Sequence, residues 1–159
     1  METIVLEVPA RFKSAVMCIT QLFALAEAAC VQGASDEAMP FADLERALAV
    51  GAGELQCGLH QPILTAMARS QPRLTIGGVR HRRAGRSVAT YNTLAGPVTV
   101  TRWRYRPEGA PRSATVDPIA ARVGAVRDTW LPVTAEAMAF LLQLGPQREG
   151  VRLFCRRAA

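Results

Sequence analysis

Acidic residues are missing from the middle of this chain. Between Leu55 and Pro107 lie 53 residues and nine arginines without one Asp or Glu. Lysine is nearly absent as well: Lys13 stands alone, and the other eighteen basic side chains are arginines. GC-rich coding accounts for arginine over lysine, but not for the loss of acids. A segment this charged is no core, and it is too apolar for a disordered tail. It is expected to fold into a surface that meets an anion, a nucleic-acid backbone above all.

Other absences narrow the classes further. No pair among Cys18, Cys30, Cys57 and Cys155 has C-x-x-C spacing. The N-terminus carries Glu2 and Glu7 where a signal peptide would carry basic residues. Reduced, buried thiols in a cytoplasmic protein are expected. The longest apolar run, around Ala24–Val31, is broken by Glu27 and is too short to span a bilayer, so no membrane partner is expected. Cys57-Gly58-Leu59-His60 has C-x-x-H spacing without a second pair, and Cys57 reads as part of an apolar helical stripe. No metal and no cofactor are expected.

A catalytic set is not visible either. The acids of the second half (Glu108, Asp117, Asp128, Glu136, Glu149) are scattered, and Ser87 and Ser113 have no base placed to activate them. Gly77-Gly78 lacks the strand–glycine–helix context of a dinucleotide site. Asp117, before Pro118, reads as a turn or cap residue. The chain is not expected to be an enzyme.

What is present fits one domain, or one with an appendage, in 159 residues. Residues 1–70 hold four basic and eight acidic side chains, a net of −4; residues 71–159 hold fifteen arginines and five acids, a net of +10. The pattern predicts an α+β fold: an N-terminal helical hairpin region over 1–72, a small basic antiparallel sheet over 73–106, a loop over 107–117, and short C-terminal helices over 118–159.

Residues 1–9 alternate as a short strand or extended arm ended by Pro9. From Ala10 to Gln32, Phe12, Val16, Ile19, Phe23, Ala26 and Cys30 recur at helical spacing, and Gly33 suits a C-cap. A second helix starts near Met39–Pro40, with Phe41, Leu44, Leu48, Leu55 and Leu59 as its stripe. Pro62 kinks or restarts it, and it runs out near Arg69. Gly77-Gly78 is a turn, Val79–Arg83 and Ser87–Leu94 are strands around Ala84-Gly85, and Ala95-Gly96-Pro97 is a further turn before the strand Val98–Arg106. Pro118–Val126 reads as a short helix. Thr134 caps another over Ala135–Leu144, and a last segment follows Gly145-Pro146 to Phe154, in helix-turn-helix outline.

The strand Val98–Arg106 carries the sharpest pattern. Strand side chains alternate, so Arg102, Arg104 and Arg106 leave from one face, about 6.7 Å apart. That comb suits a phosphate backbone, or else charges an edge strand against aggregation. Trp103 and Tyr105 leave from the other face, to pack on helices or to stack on unpaired bases. Arg80, Arg82, Arg83 and Arg86, with His81, flank the Ala84-Gly85 turn. Together these seven arginines are the candidate DNA-binding residues.

The second half resembles the N-terminal region of certain bacterial insertion-sequence transposases of the DDE type. Leu94–Arg106 (LAGPVTVTRWRYR) is similar to their G-P-V-x-V-x-R-x-x-Y-R strand, and Asp117-Pro118 to the D-P segment after it. Trp130–Ala139 matches a W-L-P-x-T-A-x-x-M-A helix start, and Arg148-Glu149 falls where such proteins have R-E-A, with Gly150 in place of the alanine. Phe41-x-x-Leu44-Glu45-x-x-Leu48 resembles the helix before their basic hairpin. The resemblance spans about Phe41 to Phe154 and implies transposition-related DNA binding. It also implies a fragment that ends before the family's RNase-H-like catalytic domain; the tail Cys155–Ala159 does not match. Relatives with zinc-ligand cysteines near the basic strand have no counterpart here. Two rivals stand beside it: an interaction module, in which the acidic hairpin 10–69 pairs with a copy of itself or with an intact transposase, and an inert remnant.

Overall fold

The computed structural model describes residues 5–32, 39–111 and 114–144. Gly33, Cys155 and the segment after Leu144, including the second helix of the expected helix-turn-helix, lie outside the described residues. The architecture is α+β, with two compact units dividing at Pro62 and Ile63.

The first unit holds two helices. After a single 3-10 turn at Ala10–Phe12, α1 runs Lys13–Gln32, and α2 runs Phe41–Met67 across the unit boundary. Pro62 lies inside α2 without ending it. The pairing is antiparallel: Gly58 of α2 lies against the Ser14–Ala15 backbone of α1, and Gly51 lies against Leu22. A Cβ at Gly58 would stand 3.3 Å from the Ala15 nitrogen, so the missing side chain is what lets the backbones approach.

The contact stripe differs from the one the sequence predicts. Ala15, Cys18 and Leu22 turn toward α2, whereas Val16, Ile19 and Phe23 are exposed. α1 is apolar on more than one face, so periodicity named a stripe correctly but not the stripe that packs on α2. The thiols follow: Cys18 and Cys57 are half-buried and Cys30 is exposed, against the expectation of burial. By length and composition Ala10–Gln32 is also long and apolar enough to cross a membrane, although Glu27 interrupts its longest apolar run.

The second unit is built on a three-stranded antiparallel sheet in the order β1-β2-β3: β1 Arg73–Ile76, β2 Val79–Thr93 and β3 Gly96–Pro107. Gly77 and Gly78 both take positive φ, 55° and 78°, as a two-residue hairpin turn of the favoured hand requires. The second turn is Leu94-Ala95. There Thr93 donates from Oγ1 to the Gly96 carbonyl and accepts from the Ala95 N–H.

Ala84-Gly85 is not a hairpin turn. β2 passes straight through it, with a bulge where Arg83 pairs Tyr105 and Gly85 pairs Arg104. Ala84 is the extra residue, and the small residues that read as a turn instead bend one long strand.

Both long strands find further partners. On the outer edge of β3 the Tyr105 N–H donates to the Val116 carbonyl at 3.0 Å, and the Tyr105 carbonyl accepts from the Val116 N–H at 2.7 Å. Asn92 of β2 bonds Thr129 and Leu131 in the same way. α3, Pro118–Val123, starts with Asp117 as its N-cap and Pro118 in its first turn, and ends at Gly124 with φ 68°. α4, Pro132–Leu144, begins two residues before Thr134. The ring of Pro132 presets the first helical φ, so Thr134 is an interior residue, and it is fully buried. The core of this unit is Tyr91, Val98, Val100, Tyr105, Ile119 and Ala120.

Candidate nucleic-acid interface

The hairpin turn fixes the register of β1 on β2, and the register decides where the arginines go. Arg73 lies directly opposite Arg82, and Arg82 directly opposite Arg106. Three guanidinium-bearing residues therefore stand in one row across three strands, on neighbouring backbones about 4.8 Å apart. The next row, Leu74–His81–Pro107, points the other way, and its His81 is buried with Nδ1 2.8 Å from the Val79 carbonyl. Alternation thus sets Arg73 and Arg82 outward, with Arg106 half-buried at the end of the row, while His81 faces inward.

Like charges directly opposite each other destabilise a sheet. Little in the protein relieves this row. Glu108, the first acid after the acid-free stretch, stands 3.5 Å from Arg73 Nε, and both side chains are largely exposed. Arg106 Nε is buried with no hydrogen-bond partner among the described residues, and Arg104 Nε is in the same state. Arg80, one pleat along β2 from Arg82, joins Arg73, Thr75 and Glu108 around a cleft of about 340 Å³. Two arginines against one glutamate give this cleft a net positive charge, which favours an anion.

The seven arginines named from the sequence part company here. Arg80, Arg82 and Arg86 are exposed. Arg83 is exposed but ordered: its guanidinium lies 4.2 Å from the centroid of the Trp103 ring, and Nη1 donates to the Ser70 carbonyl. Arg104 and Arg106 are half-buried, and Arg104 donates weakly to the Thr115 carbonyl at 3.4 Å.

Arg102 has left the comb. Its side chain is 10 % exposed, its Nε donates to Asp117 Oδ2, and its Nη1 donates to Ser87 Oγ. Asp117 also accepts from the Tyr91 hydroxyl and from the Ile119 N–H. Asp117 is therefore the cap residue the sequence predicts and the counter-ion of a buried cluster as well. Burial first, then the hydrogen bond to Asp117 and its negative charge, push the Tyr91 hydroxyl well above the ordinary tyrosine range.

Tyr105 packs inward, donating to the Arg69 and Gln71 carbonyls, and burial raises its pKa too. Of the two aromatic residues on that face, one is core and the other is covered by Arg83. Tyr105 offers no ring to a base, and Trp103 is half-buried with Arg83 over its ring.

Arg73 was absent from the sequence-based set. A two-residue turn at Gly77-Gly78 reflects position 73 onto 82, so the turn itself was the signal. No protein-family profile, curated protein or solved structure matches this chain.

Proposed function

We propose that this protein binds nucleic acid through the outward row of its basic sheet, gripping the phosphate backbone without reading base sequence. The observation that carries this reading is the in-register row Arg73–Arg82–Arg106, which has too little acid around it to be a self-neutralising feature. Arg80 extends it along β2, whereas Arg86, beyond the bulge and opposite Trp103, adds its charge on the other face of the sheet. Arg104 borders it on β3, and Arg83 is held in place by Trp103. Arg102 belongs to the fold and not to the contact set.

DNA is the polymer favoured here, because the strand Leu94–Arg106 and the segment Trp130–Ala139 resemble the N-terminal region of insertion-sequence transposases. A role in DNA transposition in the cytoplasm follows from that resemblance and is part of the proposal.

Fluorescence anisotropy of the purified chain on labelled duplex DNA, across a salt series, tests the reading. Affinity should fall steeply with salt and vary little between DNA sequences. Arg82→Gln and Arg106→Gln should each weaken binding on every sequence and lower the salt slope by about 1. A folded sample that does not bind at low salt, or variants with an unchanged slope, would overturn it.

A further inference from the structure

α1 has two apolar faces, and the fold uses one. Ala15, Cys18 and Leu22 turn toward α2. The second face lies roughly a quarter-turn round the helix, at about 100° per residue, and carries Val16, Ile19 and Phe23. All three are exposed, Phe23 at 72 %. A helix that is apolar on both faces is normally covered on both.

Two charges flank this second face. Lys13 opens the helix, and Glu27 lies fourteen residues on, about 21 Å along the axis. At helical spacing both fall on the same side of the apolar stripe. Neither has an ion-pair partner among the described residues. Each also opposes the helix macrodipole: a cation stands at the positive end and an anion toward the negative end.

We infer that this face pairs with the same face of a second copy, antiparallel, across a two-fold axis near Thr20. Antiparallel pairing sets like flanks against each other. Lys13 of one copy then lies beside Glu27 of the other, and the symmetry makes the contact twice. Each misplaced charge meets its opposite and lies at the end of the neighbouring helix that suits it. Phe23 of one copy comes level with Met17 of the other and closes on Val16 and Ile19. A lipid surface fits less well. α2 lies alongside with Asp43, Glu45, Arg46 and Glu54, and immersing α1 would immerse those charges too.

The test is the mass of the full chain in solution, by sedimentation over a concentration series, with phosphatidylglycerol vesicles as a second arm. A dimer is expected, and Phe23→Glu should abolish it. Lys13→Glu and Glu27→Lys should each raise the dimer dissociation constant about tenfold by turning two attractions into repulsions. The double variant should return to within about threefold of the original. Both single changes improve the match of α1 to its own macrodipole, so helicity by circular dichroism should hold or rise while the dimer is lost. Four results would overturn the inference: a monomer at every concentration, a dimer indifferent to the charge reversals, a double variant no better than the singles, or a monomer that sediments with the vesicles through α1.

Discussion

Arg102 and Asp117 neutralise each other in the interior of the sheet unit, fifteen residues apart in sequence and 2.5 Å apart in space. The pair is buried on both sides, at 10 % and 3 % side-chain exposure, and Asp117 serves Tyr91 and the first turn of α3 at the same time. Asp117→Asn keeps a capping oxygen but strands a buried guanidinium. It should destabilise the protein by roughly 3–5 kcal/mol, measured by urea unfolding. A loss under about 1 kcal/mol would mean that the pair contributes little.

Tyr91 and Tyr105 are the only tyrosines, and both are held protonated beyond the ordinary value of 10.0. A pKa raised in the folded state gives stability that is complete below pH 10. As pH climbs past 10, the unfolded chain loses its phenolic protons first and stability falls until the folded-state values are passed. Ultraviolet titration should detect less phenolate at pH 10 in the folded protein than in the unfolded chain, where about half is ionised.

The arginine row is expected to trade stability for binding. Arg82→Thr removes the central member of three like charges and places a good strand former there. Thermal unfolding should show a gain of a few tenths to about 1 kcal/mol, while DNA affinity falls. A variant that loses both would make the row a structural feature of the sheet instead of a contact surface.

In the helical unit, the two close glycines should respond differently. Gly51 faces the flexible end of Leu22, which has room to rotate away, so Gly51→Ala should be neutral or stabilising by up to about 1 kcal/mol. Gly58 faces backbone at Ser14 and Ala15, which has no such freedom. Gly58→Val should cost about 1–3 kcal/mol by spreading α1 from α2, as read in chemical denaturation.

Much of this was legible in the sequence, and the misses have physical causes. The alternation of Val98–Arg106 placed Arg102, Arg104 and Arg106 on one side correctly, because strand period is purely local. It gave no sign that Arg102 would be claimed by Asp117, since that pairing depends on the chain turning back at Val116 to run beside β3. Ala84-Gly85 read as a turn because small residues mark turns and bulges alike; only the partner strand distinguishes them. In α1, apolar residues occur on several faces, so composition carried too little contrast to select the face toward α2. Thr134 reads as a cap from its residue type, but the helix starts two residues earlier at Pro132, whose ring fixes a helical φ.

The bulge at Ala84 also makes β2 change step. Before it, the even-numbered Arg80 and Arg82 share the outward row; after it, the odd-numbered Ser87, Ala89 and Tyr91 lie opposite Arg102, Val100 and Val98. One unpaired residue therefore separates two reading phases within a single strand. The tip can gain or lose a residue, with the bulge absorbing the slip, and the buried half keeps its register. The outer hairpin and the interior of the sheet are therefore two separately registered halves of one strand pair.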